Sequence, residues 1–180
     1  MSETTQTNKE EVINQIVNND WEAEWKKRKE QASVRAEVNK QRIFEMLNHL
    51  NFNLGKNITS VEVAYSGSGD SGCIDDYTFN LSDNNEFIYL GAYAGKKFMF
   101  SDKMTDEDKK QIESSTIQIE KVIVYLEDCV YDLLEANHGG WEINDGQSGK
   151  FEFNCMDDQK VISHEYTRYF SDSESGNEEY

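Results

Sequence analysis

No glycine or proline falls between Asn8 and Leu50, and Glu, Lys, Gln, Ala and Arg fill much of that stretch. A segment of that length with no breaker and many strong helix formers favours one backbone, the α-helix. The chain must therefore be built around an N-terminal helical segment, residues 1–50. Inside it, Asn18-Asn19-Asp20 is a weak point. Asp20 predicts an N-cap for a second helix beginning WEAEW, with acids in its first turn. Trp21 and Trp25 are spaced i, i+4 and share a face, while Ile43, Met46, Leu47 and Leu50 form an apolar stripe. The polar run KKRKEQASVRAEVNKQR between them reads as a solvated or partner-facing surface, a homodimer contact included. Gly55 ends the helix.

Beyond Gly55 the period changes from helix to strand. Val61, Val63 and Tyr65 alternate onto one face, as do Tyr77, Phe79 and Leu81. SDNN (82–85) and AGKK (94–97) predict turns around FIYLGAY, leading into FMF. Thr105 followed by Asp108 is a capping-box variant opening a second helical region, and apolar residues recur densely from Ile117 to Leu134 before His138-Gly139-Gly140 stops it. WEIN, FEFNC and KVISHEY then read as short strands separated by DGQSGK and MDDQ. The expected class is α+β: antiparallel meander strands, a long helix on one sheet face, and an N-terminal helical segment before them. Residues 51–170 form the α+β domain, and 171–180, with four acids and no base, are expected to be a disordered tail.

Charge narrows the function classes. Residues 1–50 hold eight Lys/Arg and nine Asp/Glu, whereas 51–180 hold ten and twenty-six, so −16 of the net −17 lies beyond the first helical segment. Such a field repels nucleic acid and anionic membranes and attracts basic protein surfaces. Three cysteines without CxxC spacing argue for reduced thiols, and MSETTQTNKEEVINQ lacks the basic and apolar regions of a secretory signal. No apolar run reaches membrane-spanning length. A soluble, cytoplasmic protein is expected.

The segment YSGSGDSGCIDD, Tyr65–Asp76, contains the letters GDSG that surround a trypsin-like nucleophile. That chemistry needs a histidine base, a buried aspartate and an oxyanion hole on two β-barrels, and a chain opening with a long helical segment does not provide that scaffold. A hydrolase elbow requires G-x-S-x-G between strand and helix, and a phosphate loop requires Gly-Lys-Ser/Thr. Neither spacing is present. Two readings remain open. In one, Gly67, Gly69 and Gly72 serve a hairpin connection or bulge whose tip doubles as a contact surface. In the other, Asp70, His138, Glu142 and Asp145 converge into a metal site suited to Mg²⁺, Mn²⁺ or Ca²⁺.

A second glycine-rich segment, HGGWEINDGQSGKFEF (138–153), has a similar composition. Trp141 reads as a core plug or an interface anchor, and His138 as a helix C-terminal residue. Together, VxVxYSGSGDSGCI and LEDCVYDLLEANHGGWEINDG resemble a family of small acidic bacterial proteins of unknown function, found on chromosomes, plasmids and phages. The resemblance covers about Val61 to Tyr166, and implies a shared α+β fold and a mobile-element setting without an established activity. The first fifty residues and the acidic tail lie outside it.

The expected function is that of a non-catalytic acidic interaction protein, without a cofactor. It would act as an inhibitor or DNA mimic that occupies the basic nucleic-acid-binding surface of a host defence or processing protein. Its contact residues would be Gly69, Asp70, Ser71, Asp75, Asp76, Trp141, Glu142, Asn144 and Asp145. The alternative is a metal-dependent hydrolase at Asp70, His138, Glu142 and Asp145.

Overall fold

A computed structural model of the chain describes residues 3–82, 86–91, 98–156, 160–170 and 174–180. Side chains are described from residue 20 onward, apart from Phe52, Asn144 and Glu174. The element order is α1 (Glu3–Leu54), β1 (Ile58–Leu81), β2 (Phe87–Gly91), β3 (Phe98–Phe100), α2 (Asp106–Ser114), α3 (Thr116–Asn137), β4 (Ile143–Asn154), β5 (Ile162–Arg168) and β6 (Glu174–Glu179). The turns expected at SDNN, AGKK and MDDQ lie wholly or largely outside the described residues.

The N-terminal segment is one helix of 52 residues, about 78 Å long, with no break at Asn18–Asp20. Asn and Asp cost a helix interior only a few tenths of a kcal/mol each relative to Ala, too little to stop it among strong formers. α1 ends at Gly55, which adopts φ +62°. Its second half runs antiparallel to α3. Arg35 grips Asp132 there (Nε–Oδ1 2.8 Å) and reaches Glu135, while Cys129 donates to the Ala36 carbonyl. Burial works against ionisation of the Asp132 carboxyl, and the Arg35 guanidinium offsets part of that cost.

The sheet is antiparallel, in the order β3-β2-β1-β4-β5-β6. β1 covers 24 residues, which laid straight would span about 80 Å. Yet Thr59 donates to the Asn80 carbonyl, Asn80 donates to Ser60 and Glu62, and Ser66 donates to Asp75. These bonds require β1 to fold back on itself, so it contributes two adjacent passes. The first pairs with β4 and the second with β2. The return falls in the exposed run Ser68–Ser71, where Gly69 has φ +71°.

β4 departs from expectation: DGQSGK does not separate two strands but lies inside one. Between the pairs Gly67↔Gln147 and Gly69↔Asn144, β4 advances one residue more than β1, and Gly146 there has φ +76°. A left-handed glycine serves a β-bulge as readily as a turn, which is why Asp145-Gly146 reads as either.

The second helical region divides at Ser115 into α2 and α3, and Thr105 forms the capping box with Asp108. One apolar core fills the space between the helices and one sheet face. It includes Ile43, Leu47 and Leu50 of α1, Ile123, Leu126 and Val130 of α3, and Val63, Tyr77, Phe79, Phe151 and Phe153 of the strands. Part of α1 that sequence composition separates as residues 1–50 is thus built into the core.

The C-terminal residues correct the expectation of disorder. Glu174–Glu179 form β6, paired with β5 from Ser163↔Glu179 to Arg168↔Glu174. Tyr180 packs against the core, and Lys40 donates to its carbonyl (3.0 Å). Acidic composition disfavours a free strand, but backbone pairing and the packing of Tyr180 against the core outweigh it here.

Candidate functional site

Gly67 and Gly72 sit on the two passes of β1 and share one neighbour, the indole of Trp141. A Cβ on Gly72 would lie 2.2 Å from two of its ring carbons, and one on Gly67 would lie 2.8 Å from a third. Trp141 is 7 % exposed, edge-on to Tyr65 at 5.4 Å and tilted against Tyr131 at 6.2 Å. The two glycine-rich motifs therefore form a lock: one supplies the tryptophan, the other the side-chain-free slot that seats it. Gly146 belongs to the same packing, since a Cβ there would collide with the Gly67 carbonyl.

Among the expected contact residues, Gly69, Asp70, Ser71 and Asp145 are exposed at one end of the sheet. The register brings their strands together: Asp70 pairs with Ile143 and Gly69 with Asn144. The Asn144 side chain lies outside the described residues. Asp75 accepts from Ser66, and Asp76 accepts from Tyr89 (3.3 Å), with burial raising the Asp76 carboxyl above its ordinary range. One Glu142 carboxylate oxygen is buried without a hydrogen bond. Beside these acids lies a cleft of about 730 Å³ whose lining includes Gly139, Ile143, Asp145, Tyr169 and Phe170. Ile143 and Phe170 are about half exposed, so this end combines acids with apolar anchors. Trp25 of α1 covers Gly139, and Trp21, one turn earlier, is 63 % exposed.

The metal set read from sequence is not assembled. Among the described residues, His138 converges instead with His164 and Glu178, whose donor atoms lie within 4.8 Å of one another. His138 Nε2 is 2.9 Å from Glu178 Oε2, and His164 Nδ1 is 3.6 Å from the same oxygen. His164 is fully buried and stacks on Phe151 at 3.9 Å, its neighbour across the β4–β5 ladder. Its Nε2 meets the Tyr65 hydroxyl at 2.9 Å, which also accepts from Gln147, which in turn accepts from Arg168. Burial, then the neighbouring His138, lowers the His164 imidazole to about 4 and keeps it neutral at physiological pH. Burial works to raise the Glu178 carboxyl, but hydrogen bonds from Tyr180 and His138 outweigh it and hold the group below its ordinary value.

Sequence reasoning missed this cluster for a definable reason. The alternation Ile162-His164-Tyr166 already places His164 on the inner face, but its partner Glu178 lies in a stretch that composition reads as tail. Among the described residues no disulfide joins the three cysteines, and no helix is long and apolar enough to cross a membrane.

No curated protein and no solved structure matches the chain. A family model does match, over residues 35–180, and so takes in the core-forming half of α1 and the C-terminal strand, both outside the resemblance carried by the two motifs. The chain belongs to that family, the family of unknown function DUF6878.

Proposed function

We propose that the protein is a non-catalytic interaction module whose acidic body occupies the basic, nucleic-acid-binding surface of another protein in the cytoplasm. The role is that of an inhibitor or DNA mimic carried by a mobile element such as a phage or plasmid. The observation that carries this reading is the charge distribution: twenty-six acids against ten bases in residues 51–180. Exposed side chains at one end of the sheet support this reading. With Gly67, Gly72 and Trp141 engaged in packing, what the motifs offer outward is the tip Ser68–Ser71 and Asp145, beside Ile143, Tyr169 and Phe170. Acids steer a cationic partner and exposed apolar side chains anchor it.

Capture on the immobilised full chain, from a lysate of the cells that encode it, tests the proposal. A basic nucleic-acid-handling protein is expected among those retained. Its association rate should fall on the order of tenfold or more between low and high salt, and added DNA should compete. Retention of neutral proteins alone, indifferent to salt, contradicts the proposal. The exposed Trp21 and Trp25 extend it to self-association through α1. Sedimentation of the full chain should then register a dimer that Trp21→Ala weakens, and a monomer at all concentrations would remove that part.

A further inference from the structure

We infer that His138, His164 and Glu178 form a binding site for one zinc-type divalent transition metal, independently of the acidic-surface reading. The three donors come from separate elements: His138 caps α3, His164 lies in β5 and Glu178 in β6. Tetrahedral coordination with metal–ligand bonds of about 2.0–2.2 Å places neighbouring donors about 3.4 Å apart. The measured separations from Glu178 Oε2, 2.9 Å to His138 and 3.6 Å to His164, bracket that value. The two imidazole donors lie within 4.8 Å of each other, so a cation would draw them together by rotating side chains that already face one carboxylate oxygen.

A second observation points the same way. His164 Nδ1 is buried and has no hydrogen-bond partner, though it faces the cluster. A buried nitrogen without a partner carries a desolvation cost of about 1–3 kcal/mol, which coordination would remove. The opposite ring nitrogen is held by Tyr65, itself bonded to Gln147, so the imidazole is oriented by an outer shell as metal-binding histidines are. Tyr180 completes the surround, donating to Glu178 and standing 3.5 Å from His138 Nε2. It leaves the fourth position to solvent or to its own hydroxyl. Two imidazoles and one carboxylate suit Zn²⁺ and its first-row neighbours, while Ca²⁺ and Mg²⁺ prefer oxygen donors throughout. The bound ion would tie β6 to α3 and β5, a structural clasp on the C-terminal strand.

The test uses the full chain stripped with EDTA and titrated with Zn²⁺ by calorimetry, then with Co²⁺ by visible absorption. One equivalent should bind, the Co²⁺ spectrum should show the intense bands of tetrahedral nitrogen and oxygen coordination, and the thermal midpoint should rise by about 5–10 °C at saturating metal. Glu178→Gln keeps the side-chain shape and should weaken binding by more than the roughly 100-fold that outer-shell changes cost. His138→Gln should do the same. Weak octahedral Co²⁺ absorption, uptake undiminished in both variants, or no uptake by the wild-type chain would each overturn the assignment. Should the variants misfold, the wild-type stoichiometry and Co²⁺ spectrum decide.

Discussion

Gly72→Ala should lower the thermal midpoint by about 6–12 °C, the shift produced by about 3 kcal/mol in a chain of this size. The added methyl would sit 2.2 Å from the Trp141 ring, which has no room to withdraw because Gly67, Tyr65 and Tyr131 close on it. Trp141→Ala alone should cost a comparable or larger amount, about 3–5 kcal/mol, by emptying the slot. The informative result is the pair. In Gly72→Ala combined with Trp141→Ala the methyl meets no ring, so the combined loss should fall short of the sum by 1 kcal/mol or more, on the scale of measured couplings. Strict additivity, followed by chemical denaturation, would mean that the two motifs do not lock each other.

Deleting residues 174–180 should be more damaging, with the midpoint falling by about 10 °C or more and the protein becoming prone to association. The truncation removes the ladder from Ser163↔Glu179 to Arg168↔Glu174, and net hydrogen-bond contributions of about 1 kcal/mol each accumulate across it. It also takes away Glu178 and Tyr180 from His138 and His164, leaving a fully buried imidazole next to an open sheet edge. An uncovered edge strand is a template for pairing with another chain. A midpoint unchanged within 1 °C would instead show that these residues behave as the tail their composition suggests.

The contrast between these regions shows what can be read without coordinates. The stripe Ile43, Met46, Leu47, Leu50 reports its own burial because a helix face recurs in sequence. Three of those four side chains are in the core and Met46 packs against it. Thr105 and Asp108 likewise satisfy each other locally, so the capping box is visible from two letters. β6 is different. Its residues, ESGNEE, have little intrinsic strand preference, and the strand exists because β5 offers an unpaired edge and Tyr180 a place to bury. Neither fact is local. The same non-locality hides the His138–His164–Glu178 cluster, and conceals that Gly67 and Gly72 are small because of a tryptophan about seventy residues later. At Asn18–Asp20, the capping residues mark a possible helix start, yet the uninterrupted propensity around them prevails.

The central claim, that the acids at the glycine-motif end are directed at a cationic partner, is tested most directly by making the same change in net charge at two different places. Asp70→Lys with Asp145→Lys reverses the tips, and Asp106→Lys with Glu107→Lys reverses an equal number of exposed acids at the start of α2. With a basic partner captured by the wild-type chain, its dissociation constant should rise at least about tenfold for the tip variant and far less for the α2 variant. Equal losses in the two variants, or none in either, would contradict the claim.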